Sequence, residues 1–428
     1  MAERDTVYTG SILRNEFLYR SWDTFQNVLR MEVRLKEPVS DDSLEFAVQE
    51  SAGRYPYYCK KVIRRGEEYE ITLNEAKLPV YKGSGGITLG SEEAHGHYLA
   101  AGYEDNRIFF DMYHSMSDAQ GMIPWLKTVV YLYIKQKYGL SIPGGNIRLT
   151  GGGFLKGETE DPYSGLSIKR DITPLYEPEP VRNFLPDTRY AQSSGRIRYL
   201  IRASEPDIIR IAKGRDGSPT AVTAFFVKEV VKKLFPDREG LPLACGIAHS
   251  LRKNCMGREN YHDQVTLLNI RYDERTDTFP MDKQFTIGRG QIILQSDEDN
   301  MLYDIKKKAE FAEKLDALKT VRERRELYKK SPEQVVAHPE TCTVSYVGDI
   351  RWGAIEEYME EVYVYCDTLV SPLMVTLIPL NGYFYFSFLQ RDDTPVYAET
   401  FTGLLNEAGV EAQIMGKEKD ELCRIYIP

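Results

Sequence analysis

The chain has 428 residues, 42% apolar, 28% charged and 11% aromatic, which excludes a collagenous, low-complexity or wholly disordered protein. Its 55 Lys and Arg face 64 Asp and Glu, a net charge of -9, and its short basic runs (306–308, 322–325) sit among acids, which excludes a nucleic-acid binder working by phosphate neutralisation. No apolar run approaches the roughly 18 residues of a membrane span, the first residues lack the basic start and apolar core of a secretory signal, and six scattered cysteines form no C-x-x-C pair; together these predict a soluble cytoplasmic protein with reduced thiols.

Residues 26–35 alternate apolar and polar side chains and predict a half-buried strand. Pro38 to Ser40 break it, and Ser40 is placed to cap a helix over 41–52. Residues 57–63 and 68–73 predict a hairpin turning at Arg65-Gly66, 107–114 a further strand, and 122–138 a helix with Met122, Trp125, Leu126, Val129 and Tyr133 on one face. From 139 to 194 the chain is rich in Gly, Pro, Asp and Ser and loses periodicity, which predicts an irregular linker; no G-K-[ST] follows its glycines, so they are not a phosphate loop.

The second half repeats the mixture. Strands are predicted over 196–202, 241–249, 341–347, 373–379 and 383–390, the last two joined at Asn381-Gly382, and helices over 219–235, 395–408 and, as one long charged helix or a pair, 299–330. The class is α/β in two lobes, divided as 1–140, a crossover at 141–194, and 195–428.

The stretch that carries chemistry is Tyr113-His114-Ser115-Met116-Ser117-Asp118-Ala119-Gln120-Gly121. His114 ends a strand whose face, Ile108, Phe110 and Met112, is otherwise apolar, and a helix follows at once. An imidazole delivered to the rim of a sheet has the placement of a general base. The bland reading is a satisfied strand-end histidine, with Asp118 capping the helix. Elsewhere His95 and His97 alternate without a third ligand and read as a surface strand or loop; His262 and Asp263 lie in a polar loop with no motif around them. The aromatic hairpin at 383–388 reads as core and lobe interface.

HSMSDAQG, strand before and helix after, resembles the H-x-x-x-D-G motif of the chloramphenicol acetyltransferase-like superfamily, which includes condensation domains, wax ester synthases, alcohol acetyltransferases and BAHD acyltransferases. Ala119 stands where the motif has its first Gly, and Gly121 matches the second small position. Residues 248–253, Ala-His-Ser-Leu-Arg-Lys, resemble the second lobe's "P-V-N-L-R" segment, and 343–348, Thr-Val-Ser-Tyr-Val-Gly, its "S-N-L-G" strand, with Tyr346 for the usual Asn. Asp349, Trp352 and Gly353 match a looser D-F-G-W-G.

The resemblance implies a two-lobed fold, each lobe a mixed sheet flanked by helices, and transfer of an acyl group from a thioester to a hydroxyl or amine in a ternary complex without an acyl-enzyme. His114 would be the general base in a tunnel between the lobes, and Asp118 would orient the motif through an ion pair with Arg252, Arg14 or Arg107. Ser345, or the hydroxyl of Tyr346, would face the oxyanion, with Tyr346, Gly348 and Arg252 along the tunnel. Acyl-CoA is the implied co-substrate, with no tightly bound cofactor and no metal. Arg252, Lys253 and Arg258 are candidates for its phosphates, and a separate carrier protein is an alternative donor partner. Ala119 and Tyr346 in motif positions leave open a binding protein on the same fold that has lost turnover.

Overall fold

The computed structural model describes residues 6–23, 25–186, 197–253, 259–330, 340–366, 371–419 and 423–428. In chain order the first half runs α1 (Ile12–Tyr19), β1 (Val28–Leu35), α2 (Asp41–Ala52), β2 (Lys60–Arg65), β3 (Glu68–Leu73), β4 (Val80–Lys82), β5 (Thr88–Leu89), β6 (Leu99–Glu104), β7 (Arg107–Tyr113) and α3 (Ala119–Tyr138). Local chemistry sets the boundaries. The Ser40 hydroxyl accepts the Ser43 N–H at the start of α2, and Gly66, at φ +65°, turns the β2–β3 hairpin.

The second half supplies β8 (Ile197–Ser204), α4 (Glu205–Lys213), α5 (Pro219–Leu234), β9 (Leu243–Ser250), β10 (Val265–Tyr272), α6 (Glu274–Asp277), α7 (Met281–Gln295), α8 (Glu298–Asp316) and α9 (Val321–Lys329). It ends with β11 (Cys342–Tyr346), β12 (Met359–Cys366), β13 (Leu373–Leu380), β14 (Tyr383–Gln390), α10 (Val396–Glu407), β15 (Ala412–Lys419) and β16 (Arg424–Ile425). Asn381 and Gly382 are both left-handed (φ +51° and +77°), the type I′ geometry that joins β13 to β14. The predicted 299–330 segment is a pair of helices, α9 opening with a Thr320–Glu323 capping box.

Two large sheets result. One has the order β12-β1-β7-β6-β4 and the other β10-β9-β11-β13-β14-β8-β15. Thus β12, from the second half, completes the first half's sheet as its edge strand. Its Cys366 pairs in register with Leu29. The first sheet lays Leu29, Met31, Phe110 and Met112 against Trp125 and Leu126 of α3, and the second packs Val344, Val375 and Phe386 against α5 and α10.

Two expectations need correction. The polar face of β1 is not solvated: Arg30 is 1% exposed and Glu32 fully buried, because Arg30 pairs with Asp111 (2.6 Å) and Glu32 with Arg198 of β8 (3.0 Å). The second sheet covers the side that alternation alone assigns to water. His97 is likewise buried, its Nε2 against the Ala76 carbonyl (2.9 Å), where the sequence suggested a surface position.

From 139 to 186 the described chain contains no helix or strand, as predicted, but it is anchored. The Glu158 carboxylate, fully buried, accepts both Arg54 Nη1 and Nη2 at 2.8 Å and the Tyr57 hydroxyl at 2.7 Å. The aromatic β13–β14 hairpin is core, with Phe384, Phe386 and Phe388 fully buried.

Candidate active site

The end of β7 fixes His114. Val28 pairs with Tyr113, and one step on the His114 N–H donates to the Asn27 carbonyl at 2.8 Å. The imidazole therefore stands where the sheet ends, its side chain 18% exposed. Its Nδ1 lies 3.5 Å from Asp263 Oδ2, an ion-pair separation too long for a hydrogen bond. The Cys366 thiol, at the end of β12 on the far side of β1, also interacts with the ring. Burial works against the imidazolium, but the Asp263 carboxylate and then Cys366 outweigh it and hold His114 well above the usual imidazole range. Burial opposes the Asp263 charge too, yet His114 and Arg20 (Nη1 to Oδ2, 3.1 Å) keep this carboxyl well below the usual carboxylate range. With Nδ1 turned to Asp263, the other ring nitrogen is the one left to exchange a proton.

Asp118 does not touch His114. It is the N-cap of α3, its Oδ1 accepting the Gly121 N–H at 2.9 Å. Both oxygens also accept Arg252, at 2.5 and 2.8 Å, a fork in which the two side chains are almost wholly buried. Of the three arginines considered from sequence, Arg252 is thus the partner; Arg14 pairs with Glu68 and Arg107 with Glu418. Asp118 Oδ2 further accepts the Gln264 N–H (3.0 Å), and Arg252 donates to the carbonyls of Asn260 and His262 (3.2 and 2.9 Å). The Asp118–Arg252 pair therefore clamps residues 260–264, the segment that presents Asp263 to His114. Asp118 thus both caps α3 and pairs with Arg252.

The rest of that segment is held as tightly. Asn260 Oδ1 accepts the backbone N–H and the ring Nδ1 of His262, both at 3.0 Å. The His262 ring stacks on Tyr261 (3.9 Å between centroids), and burial, aided by Lys60 and Arg252, pushes it down to about 3, so it stays neutral. Lys60 donates to the Tyr261 hydroxyl at 2.8 Å, and burial brings its amine down to about 8.

Gly121 is required by close approach: a Cβ there would lie 2.2 Å from the Tyr261 carbonyl oxygen and 2.3 Å from Ser117 Oγ. Ala119 opens α3 in ordinary helical conformation, so the missing first glycine of the motif imposes no strain.

The second-lobe residues gather at the start of α3. Gln120 Nε2 donates to the Val347 carbonyl and its Oε1 accepts the Ser250 hydroxyl, both at 3.2 Å, tying α3 to the ends of β9 and β11. Gly348, at φ +99°, comes so close that a Cβ would lie 3.2 Å from Gln120 Nε2. Ser345 is half-buried near the end of β11, opposite Thr376, and no described hydrogen bond joins its hydroxyl to His114. Tyr346 packs edge-on against Phe384 (5.7 Å), and burial pushes its phenol up to about 12.

Arg252 differs from the tunnel and phosphate contact expected of it. It is 6% exposed, and its guanidinium is spent on Asp118 and two carbonyls, an internal brace. The side chain of Lys253 and all of Arg258 lie outside the described residues. Among the described residues no group of three or more His, Cys, Asp or Glu side chains is placed to hold a metal, and no helix is long and apolar enough to cross a membrane. Sequence reasoning does not reach Cys366 or Asn260, and it gives Asp263 no role, since only the fold brings the Asp263 loop to His114.

No family model and no curated protein matches the chain in sequence. Solved structures do. Polyketide synthase associated protein 5 from Mycobacterium tuberculosis is similar at a TM-score of 0.56 and 11% identity over 94% of this chain and 96% of that one. The TRI101 protein of F. sporotrichioides, solved with coenzyme A and T-2, is similar at 0.57 and 12% over 96% and 100%. The first condensation domain of the CDA synthetase is similar at 0.57 and 11% over 94% and 96%. Together with the two sheets of this chain, these likenesses show that it has the two-lobed chloramphenicol acetyltransferase-like fold.

Proposed function

We propose that this protein is a cytoplasmic acyltransferase that moves an acyl group from a thioester, acyl-CoA in the first instance, to the hydroxyl or amine of a small acceptor. The observation that carries the reading is the His114–Asp263 pair at the rim of the sheet, Nδ1 to Oδ2 3.5 Å, on a fold shared with a protein solved with coenzyme A. The lobes at 1–140 and 195–428 form one site, with 141–194 crossing between them.

His114 in its neutral form takes the acceptor's proton as the oxygen or nitrogen attacks the thioester carbonyl. Asp263 favours the imidazolium that forms. The tetrahedral oxyanion collapses, the carbon–sulfur bond breaks, and the imidazolium returns the proton to the leaving thiolate, so no group remains on the enzyme. Ser345 is the proposed donor to the oxyanion, and Tyr346 and Gly348 the proposed neighbours of the bound thioester. Asp118 and Arg252 are positioning residues, acting through the 260–264 segment. The thioester of a carrier protein would present the same reacting group.

The test measures thiol release from acyl-CoA with a panel of alcohols and amines, wild type against His114→Ala. Turnover by the wild type that falls about 10²–10⁴-fold in the variant is the expected outcome; equal turnover by both removes His114 from the chemistry.

A further inference from the structure

Between the two sheets, on the side away from α3, lies a cavity of about 270 Å³ whose walls include Arg30, Arg107, Arg198, Lys419, Tyr365 and Glu418. It is separate from the histidine site. Asp111 pairs with Arg30 and Met112 with Leu29, so alternation puts Arg30 on one face of the sheet and Met112, with His114 beyond it, on the other. Four cations and one acid line it. Each guanidinium also has a carboxylate partner: Asp111 on Arg30, Glu32 and Glu418 on Arg198, and Glu104 and Glu418 on Arg107.

Arg198 makes this more than a charged cleft. Its side chain is 1% exposed and its guanidinium carbon lies over the Tyr365 ring, 3.6 Å from the centroid. Its Nη2 donates to Glu32 and Glu418, but Nε and Nη1, both buried, have no hydrogen-bond partner. A buried guanidinium with two unmet donor atoms is destabilising, and a bound acceptor would relieve that cost. Lys419, exposed at the mouth, has no ion-pair partner among the described residues.

We propose that this cavity binds a phosphate-type oxyanion. Arg198 and Lys419 stand on different strands of the wall, β8 and β15. A carboxylate takes both its hydrogen bonds in one plane from one guanidinium edge, whereas a tetrahedral oxyanion accepts from several directions. A bound anion would tie β1 and β7 of one sheet to β8 and β15 of the other. Glu418 is the one repelling wall group, and its charge sets the affinity from the opposite side.

Titration calorimetry of the full chain with inorganic phosphate, at constant ionic strength, tests this. Saturable one-site binding is expected, about tenfold weaker in Lys419→Met, lost in Arg198→Met and tighter in Glu418→Gln. Should Arg198→Met fail to fold, the opposite shifts of the other two variants carry the same information. Absence of saturable binding by the wild type, or an affinity unchanged in both Lys419→Met and Glu418→Gln, overturns the site. Adding coenzyme A to the phosphate-loaded protein separates two sources of the same chemistry: displacement assigns the site to a coenzyme phosphate, simultaneous binding to a free one. The readout is binding alone, so failure of acyl transfer would leave this result standing.

Discussion

Asp118 and Arg252 meet through two buried hydrogen bonds of 2.5 and 2.8 Å, and neither residue touches the imidazole they serve. The pair joins the cap of α3 to the 260–264 segment, so a residue of one lobe holds the segment that carries Asp263 in the other. Removing one partner leaves a buried, uncompensated charge, which typically costs about 3–5 kcal/mol. Urea unfolding of Asp118→Asn and Arg252→Met, which checks this, is expected to show losses of that size, together with a displaced pH profile of turnover. A loss under about 1 kcal/mol would mean the pair is no brace.

Asp263→Asn tests the pair that the brace positions. In the wild type Asp263 raises the His114 pKa, so under the proposed mechanism the neutral base is expected only above the usual imidazole range, and kcat/KM is expected to rise with pH there. Without the carboxylate the imidazolium loses its partner and titrates lower. The acid limb of kcat/KM should move to lower pH while the plateau falls; an unmoved limb would mean Asp263 does not govern the base.

The same pair has a signature in stability. His114, with a raised folded pKa, contributes stability that is full below its unfolded value and lost as pH rises through the folded one. Asp263, with a depressed pKa, contributes above its unfolded value and loses it as pH falls through the folded one. Stability curves of wild type and Asp263→Asn should therefore lie furthest apart at mildly acidic to neutral pH and converge at both extremes.

Glu158 makes the linker acid-sensitive. Burial opposes its charge, but Arg54 and Tyr57 bring its pKa from the ordinary 4.5 down to about 2. Its contribution is present above 4.5 and lost as pH falls towards about 2. Glu158→Gln should be less stable at neutral pH and should lose less on acidification, as read by tryptophan fluorescence.

Gly121→Ala would bring a Cβ within 2.2 Å of the Tyr261 carbonyl. Backbone, not a flexible side chain, must then give way, and overpacking of this kind costs about 1–3 kcal/mol. Calorimetric melting should show the loss, and Ala119→Gly, at a position with helical backbone, should change stability by no more than about 1 kcal/mol.

Most elements could be read from periodicity and punctuation: Ser40, Arg65-Gly66 and Asn381-Gly382 each mark a boundary that the fold keeps. His114 and Asp118 were legible because one short stretch carries both. Asp263 was not, because its meaning arises from a loop brought to the end of β7 by Arg252, and spacing along the chain holds no trace of that approach. The polar face of β1 misled for a related reason: alternation distinguishes two faces but cannot say that a second sheet, through Arg198, covers the polar one.

The exchange of β12 into the first sheet also constrains the order in which the molecule can be made. A ribosome that has released residues up to 140 has delivered β1, β7, β6 and β4, and Leu29 can already pair with Met112, but the opposite edge of β1 stays open until Cys366 emerges. That edge is a ready template for wrong pairing. The first lobe therefore matures late, after most of the second has been synthesised, and pairings of such long sequence separation fold slowly.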